Sequence, residues 1–243
     1  MKQAYFKVIS NKRIAKNVFE MKLEGDTSAV ITPGQFVNIK IEGEFLRRPI
    51  SICDYDKNSL TLIYKVVGKG TSIMSALVEG SWLDLLVGLG NGFNTMDSGE
   101  NPVLIGGGVG VPPMYNLARE LIGEGKKVSV ILGFNAKDEV FYEEEFKELG
   151  ADVYVTTVDG SVGTKGFVTD VLKNLDYSYF YTCGPLPMLK AVYNTSKTSG
   201  QLSFEERMGC GFGVCMGCSC KTKYGNKRIC ADGPVLVKEE IIW

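Results

Sequence analysis

The sequence predicts an antiparallel β-barrel, then a Rossmann-like parallel-sheet α/β domain, then a C-terminal segment organised by cysteine, over residues 1–97, 98–200 and 201–243. Three observations carry this. Up to about Thr95, short runs alternate apolar and polar residues with a period of two, recurring every ~8–12 residues, the spacing of barrels and sandwiches. From Asn101, strand-like runs alternate with helix-like ones, which implies βαβ units and a parallel sheet. Between Arg207 and Pro234, five of the seven cysteines fall within 21 residues among many glycines.

In the first part, "NVFEMKLEG", "GQFVNIKIEG", "RPISICDYD" and "LTLIYKVVG" read as strands bounded by Gly, Asp and Asn. "GTSIMSALVEG", Gly70 to Gly80, reads as one short helix. The polar, turn-rich "MDSGENP", Met96 to Pro102, marks the domain boundary. The second part reads in order as strand "PVLIGGG", helix "PPMYNLARELIGEG", strand "KVSVILGF", helix "EEEFKELG", strand "DVYVTTVD", helix "GFVTDVLKNL", strand "YFYTCG" and helix "PMLKAVYNTSKTSG". A last strand, "QLSFEERM", leads into the cysteine segment.

Composition removes whole classes of function. Lys plus Arg (27) nearly balance Asp plus Glu (28), so no electrostatic footprint points to nucleic acid or an anionic membrane. No apolar run approaches the ~20 residues of a membrane span, and the N-terminus lacks the apolar core of a signal peptide, so a cytoplasmic location is expected. There thiols stay reduced, and an odd number of cysteines favours a metal or redox site over a disulfide framework. The chain has no histidine, which rules out His-based triads, Cys2His2 zinc and imidazole acid–base catalysis. Electron and hydride transfer need none.

Cys210, Cys215 and Cys218 show the C-x4-C-x2-C spacing of plant-type [2Fe-2S] loops, and Cys230 lies beyond an eleven-residue gap as a fourth thiolate. Gly209, Gly211, Gly213 and Gly217 let the backbone fold over inorganic sulfide. Iron–sulfur is favoured over zinc, because structural zinc usually takes two C-x2-C-type pairs. Cys220, two residues after Cys218, is expected to face away; Cys53 and Cys183 read as small buried hydrophobes.

In "PVLIGGGVGVPPMYNLARE", a strand runs into Gly106, Gly107, Gly108 and Gly110. Pro112 or Pro113 then opens a helix whose first-turn N–H groups can receive a pyrophosphate. Such a turn is also met as plain α/β architecture. Its place in the first βαβ unit, with Cys183, Gly184 and Pro185 at another strand end, favours a dinucleotide. The loop "GFNAKDEV" offers no arginine for a 2′-phosphate, only Lys137, so NAD is favoured over NADP. Arg48, with Gly70 and Thr71 at a helix start, supplies groups able to hold the pyrophosphate of a flavin nucleotide, although singly each reads as a strand edge or a helix cap.

In sequence order, "RPIS", "GKGT", "IGGGVGVPP" and "CGP" resemble the ferredoxin-NADP reductase superfamily. "EERMGCGFGVCMGCSCKT" followed by "CADGPV" narrows the likeness to the electron-transfer subunits of dihydroorotate dehydrogenase B, across essentially the whole chain. The resemblance implies FAD held by Arg48, Pro49, Ile50 and Ser51, by Ile63, Tyr64 and Lys65, and by Gly70 and Thr71. It implies a [2Fe-2S] cluster on Cys210, Cys215, Cys218 and Cys230, and NAD as the hydride acceptor. It further implies an FMN-containing catalytic partner in a two-plus-two heterotetramer of pyrimidine biosynthesis, with this subunit inactive on dihydroorotate alone. Lys65 departs from the expected arginine and cannot make a bidentate fork; Cys220 is a thiol that the motif does not require. Two other readings stand beside this one. The first is the FAD/[2Fe-2S] subunit of another NAD(P)H complex, such as a ferredoxin-NADP oxidoreductase, sulfide dehydrogenase or hydrogenase. The second is a non-catalytic, zinc-stapled nucleotide-binding module.

Overall fold

Alternating apolar residues on six strands close the first part of the chain into a barrel. The computed structural model describes residues 1–243. Strands β1 (Lys2–Ala15), β2 (Val18–Glu24), β3 (Phe36–Ile39), β4 (Arg48–Tyr55), β5 (Ser59–Lys65) and β6 (Trp82–Leu89) pair antiparallel in the order β1-β2-β5-β4-β3-β6. Phe6, Val8, Met21, Leu23, Leu62 and Leu85 fill the interior. Burying each such side chain contributes about 1.5–3 kcal/mol. Helix α1 (Lys69–Ser75) connects β5 to β6.

After the barrel come β7 (Val103–Gly107), α2 (Pro112–Gly123), β8 (Ser129–Phe134), α3 (Glu143–Glu148), β9 (Asp152–Thr157), β10 (Thr164–Lys165), α4 (Val168–Leu172), β11 (Phe180–Cys183), α5 (Leu186–Thr195) and β12 (Gly200–Ser203). The cysteine segment forms a hairpin of β13 (Ser219–Thr222) and β14 (Gly225–Arg228), then β15 (Val235–Val237). The second sheet has the order β10-β9-β8-β7-β11-β12-β15, parallel throughout except for the β12–β15 edge. Strand order reverses between β7 and β11, and ligands of such sheets bind in the crevice at that reversal.

Several expected boundaries move, among them the end of α1, which stops at Ser75 rather than running on to Gly80. The last strand stops at Ser203 rather than continuing to Met208, because its antiparallel partner β15 supplies only Val235, Leu236 and Val237 to pair with it. The last helix ends at Thr195 and not at Gly200, since Gly200 already pairs with Phe180.

The barrel and the parallel sheet share a core. Val18, Cys53 and Ile63 from the barrel pack in one cluster with Leu104, Met114 and Phe134. Polar bonds cross the same seam: Asn116 Nδ2 donates to Asp54 Oδ1 at 2.7 Å, Arg119 Nη1 to Asp54 Oδ2 at 2.9 Å, and the Tyr142 hydroxyl to Glu20 at 2.8 Å. A second cluster joins Phe36 and Leu89 of the barrel, Val103 and Leu202 of the sheet, and Cys218, Ile229 and Cys230. The cysteine segment is thus packed into the junction of the other two parts.

Candidate functional site: three loops at one junction

Arg48 opens β4, and Gly70 lies in the first turn of α1. The chain brings them into direct contact: a Cβ on Gly70 would collide with the Arg48 guanidinium. Only glycine lets the arginine lie across the helix start. Thr71 shapes that start, its hydroxyl accepting the N–H groups of Val67 at 3.0 Å and Gly68 at 3.2 Å. Glu44 pairs with Arg48 and also, at 2.9 Å, with Lys69. Lys69 foremost, with Arg48 second, holds the Glu44 carboxyl below the usual range. The motifs do not mark Glu44, and its spacing from Arg48 gives no signal, because residues 44–47 are loop and not helix.

Pro49, Ile50 and Ser51 run along β4 opposite Asn38, Val37 and Phe36 of β3. The residues of β5 divide. Ile63 is buried in the shared core, and Tyr64 points into the barrel, where its hydroxyl donates to Asn11 at 2.9 Å. Asn11 in turn donates to the carbonyls of Met74 and Leu77 at 2.9 and 3.0 Å, so Tyr64 braces the far end of α1 and its side chain does not face a ligand. Lys65 reaches the other domain, pairing with Glu139 at 3.2 Å.

The two glycine loops meet at the reversal of strand order. Cys183 stands beside Gly106 in register, and a Cβ on Gly110 would strike the Cys183 carbonyl. Gly106 is equally constrained, with Val111 Cα only 2.7 Å from where its Cβ would stand. Close packing of one loop on the other therefore accounts for Gly110, the tight turn of its own loop back onto Val111 accounts for Gly106, and of the four loop glycines Gly108 alone faces open space. Pro112 and Pro113 have no N–H, and the Met114 N–H is spent on Val111 at 3.0 Å, so residues 112–114 of the first turn have no free donor. Burial pushes the Cys183 thiol up to about 12, with Ser203 opposing, so it is not a nucleophile at neutral pH.

In the cysteine loop, backbone N–H groups point at sulfur. Cys210 Sγ accepts from Val214 at 3.3 Å and from Phe212 and Cys215 at 3.5 Å; Cys215 Sγ accepts from Cys210 at 3.4 Å, and Cys218 Sγ from Cys230 at 3.4 Å. Burial opposes ionisation of Cys210, but those N–H groups outweigh it and draw the thiol down to about 6. Burial, then contact with Cys218, pushes Cys230 up to about 12. Gly211 adopts a φ of +79°, which favours glycine. Arg228 latches the loop, donating to the Gly213 carbonyl at 2.8 Å while Asp232 grips it through Nε at 2.9 Å and Nη2 at 3.0 Å.

The four thiols come as two pairs, Cys210 with Cys215 and Cys218 with Cys230, and no three Cys, Asp or Glu side chains are drawn together closely enough to hold a metal ion. The donor set nonetheless fits an iron–sulfur cluster. It is all thiol, sulfur-directed N–H groups surround it, and the adjacent carboxylate of Asp232 is engaged by Arg228. Cys220 lies apart on β13 opposite Lys227, its pKa raised chiefly by burial. Cys220→Ser is expected to leave iron content unchanged; a loss as deep as that from Cys215→Ser would make Cys220 a ligand.

One bond joins the cysteine loop to the flavin motif. Asn38 Nδ2 donates to the Cys210 carbonyl at 3.2 Å from β3, the strand beside Arg48–Ser51. Neither residue type nor spacing marks Asn38. A cavity of about 430 Å³ lined by Arg13, Ile14, Ala15, Lys16 and Asp138 contains none of these residues, whereas a second of about 230 Å³, lined among others by Leu89, Asn91, Phe212, Cys230 and Ala231, borders the cysteine loop.

Comparison with known proteins addresses the same segments. A family model for the iron-sulfur cluster binding domain of dihydroorotate dehydrogenase B matches residues 205–242, and one for the oxidoreductase NAD-binding domain matches residues 104–194. A dihydroorotate dehydrogenase B (NAD(+)) electron transfer subunit from Fusobacterium nucleatum is 46% identical over 250 residues, covering 96% of both chains. One from Bacillus mycoides is 47% identical over 251 residues, covering 97% of this chain and 96% of the relative. A solved structure of NADH-dependent reduced ferredoxin-NADP oxidoreductase superposes with a TM-score of 0.89 at 30% identity, covering 98% of this chain and 90% of that one.

Proposed function

The chain belongs to the family of dihydroorotate dehydrogenase B electron transfer subunits, and from that premise we propose which residues carry the transfer and how the partner is met. The subunit is an NAD-linked iron-sulfur flavoprotein oxidoreductase that serves FAD, a [2Fe-2S] cluster and NAD. The sister reading, a subunit of a ferredoxin-NADP oxidoreductase, has 30% identity behind it, against 46–47% here. A cluster-binding match over residues 205–242 leaves the zinc-stapled module without support.

The observation that carries the assignment is the meeting of three distant segments at one junction. Arg48 lies against Gly70 at the start of α1; the Cys210 loop is fastened to the strand beside Arg48–Ser51; and the Gly106–Gly110 and Cys183–Pro185 turns interlock at the sheet reversal. Arg48 and Lys69 would hold the FAD pyrophosphate, with Glu44 orienting both. Lys65 would offer a single point charge rather than a bidentate fork, and it is already paired with Glu139 at 3.2 Å. Gly108 and the Cys183–Pro185 turn would border the NAD. Cys210, Cys215, Cys218 and Cys230 would ligate the cluster. Bound together, the cluster would supply single-electron transfer and the flavin would gather two electrons and a proton for delivery to NAD+ as hydride. We assign residues 1–97 to the FAD domain, 98–200 to the NAD domain and 201–243 to the cluster segment.

A catalytic partner must supply the electrons. Membership of the family implies that dihydroorotate oxidation belongs to an FMN-bearing subunit, two of each chain assembling together; the absence of histidine from this chain accords with that division. The docking face is the outer side of the cysteine loop, where Phe212, Val214 (75% exposed) and Met216 stand in solvent. No helix is long and apolar enough to cross a membrane; reduced thiols fit the cytoplasm.

Affinity purification from the host, followed by assay of dihydroorotate-dependent NAD+ reduction, tests this. Recovery of an FMN-containing dihydroorotate dehydrogenase in equal amount supports the reading. Recovery of a hydrogenase or ferredoxin-linked subunit in its place would move the function to the sister complex.

Cofactor preference follows from the loop after β8. Lys137 is exposed and single; Asp138 pairs with Lys16 at 2.8 Å and Glu139 with Lys65 at 3.2 Å. A 2′-phosphate would find Lys137 as a single mobile charge, because Lys16 and Lys65 are already engaged by Asp138 and Glu139. NADH is expected to reduce the bound flavin about tenfold or more faster than NADPH at limiting concentration, the value of one missing charge-assisted bond. Equal stopped-flow rates would contradict this.

A further inference from the structure

Asn38 is out of place by the rules of its own strand. Along β3, Val37 and Ile39 enter the barrel core, while Phe36 and Asn38 face outward and are covered, Phe36 by the cluster that contains Cys218 and Cys230. Asn38 is 1% exposed, and burying an amide is unfavourable unless its hydrogen bonds are replaced. At Asn38 they are replaced only in part. Its Nδ2 donates only to the Cys210 carbonyl, 172 residues away, and its Oδ1 is buried with no partner. A leucine of similar size would avoid the unsatisfied acceptor, so the stability of the barrel does not account for an asparagine.

What the amide does touch is specific. The backbone of the cysteine loop wraps closely over it: a Cβ on Gly211 would strike Asn38 Nδ2, and Gly211 takes the left-handed φ that this approach needs. The strand beneath is clamped. Arg47 donates to the Asn38 carbonyl at 3.2 Å and to the Asp84 carbonyl at 2.9 Å, and its Nη2 meets both Asp84 carboxylate oxygens at 3.0 Å, tying β3 to β6. On the other side Asn38 pairs in register with Pro49, in the middle of the Arg48–Ser51 stretch. One residue therefore touches the cysteine loop through its side chain and the flavin-binding strand through its backbone.

We propose that Asn38 is a positioning residue that fixes the Cys210 end of the cluster loop against the flavin-binding strand, and so sets the placement of one redox cofactor relative to the other. This rests on the FAD and cluster assignments made above. The role is indirect: Asn38 acts through the Cys210 main chain and need not touch either cofactor.

The test uses the full chain, loaded with FAD and cluster and joined to its partner, as Asn38→Leu and as Asn38→Asp. Leucine removes the donor at constant size; aspartate keeps an acceptor but sets an oxygen against the Cys210 carbonyl. Both are expected to retain parental flavin content and parental NADH oxidation by ferricyanide. Both should show an altered electron paramagnetic resonance spectrum of the reduced cluster. Dihydroorotate-dependent NAD+ reduction should fall about tenfold to a hundredfold, the scale of a small misplacement of reacting groups. An unchanged cluster spectrum and rate in the leucine variant would overturn the proposal, as would loss of flavin in step with iron in both variants, which marks general destabilisation. If leucine does not fold, the aspartate variant is read alone by the same criteria. A parent protein with no reduced-cluster signal would instead overturn the functional reading on which the proposal stands.

Discussion

Cys215→Ser and Cys218→Ala are expected to strip iron and acid-labile sulfide from the protein and to abolish dihydroorotate-dependent NAD+ reduction. NADH oxidation by artificial acceptors should largely persist. The asymmetry follows from where the thiols lie. Cys215 is exposed on the outer loop and exchanges N–H···S bonds with Cys210, so its loss breaks one pair. Cys218 is buried in the cluster that includes Ile229, Cys230 and Phe36, so its loss also leaves a small cavity at the junction. Neither residue touches Arg48, Gly70 or the glycine loops, so flavin binding and its reduction by NADH should survive. Iron and sulfide analysis beside the two activity assays checks this. Retained partner-dependent activity in an iron-free variant would show that electrons bypass these thiols.

Arg48→Ala is expected to lower FAD affinity about tenfold to a hundredfold, since a charge-assisted hydrogen bond to phosphate contributes about 1.5–3 kcal/mol. The structure adds a consequence for Glu44. With Arg48 gone, Glu44 keeps Lys69, an exposed partner, but loses its second cation, and its carboxylate stands less fully balanced beside the proposed phosphate site. Arg48→Ala/Glu44→Gln should therefore recover part of the loss. Flavin retained after dialysis at low protein concentration gives the answer; parental retention in Arg48→Ala would count against the motif.

Much of this was legible in the sequence because it is written locally. The strand–helix alternation after Asn101 yields the parallel sheet, and the spacing of Cys210, Cys215 and Cys218 depends on one loop alone. What stayed hidden depends on pairing between distant segments. Strand β1 carries two register irregularities, between Val8 and Ser10 and between Arg13 and Ala15, which blur its period of two. Strand β15 is three residues long and becomes visible only beside β12. Tyr64 sits within the Ile63–Lys65 stretch expected to bind flavin, yet its side chain faces the core, because alternation along β5 fixes its side. Asn38 could not be singled out at all: its meaning lies in a carbonyl 172 residues away.

The central claim is that one chain holds a flavin and an iron–sulfur relay together at a nicotinamide site. Cofactor analysis of the purified native protein tests it most directly, by absorption spectroscopy with iron, sulfide and zinc determination, before and after anaerobic addition of NADH. The account predicts a yellow-brown protein containing FAD with iron and acid-labile sulfide in equal amounts, whose flavin and cluster bands both bleach with NADH in the absence of any partner. A colourless protein containing zinc, or a flavoprotein whose iron never becomes reduced, would contradict it.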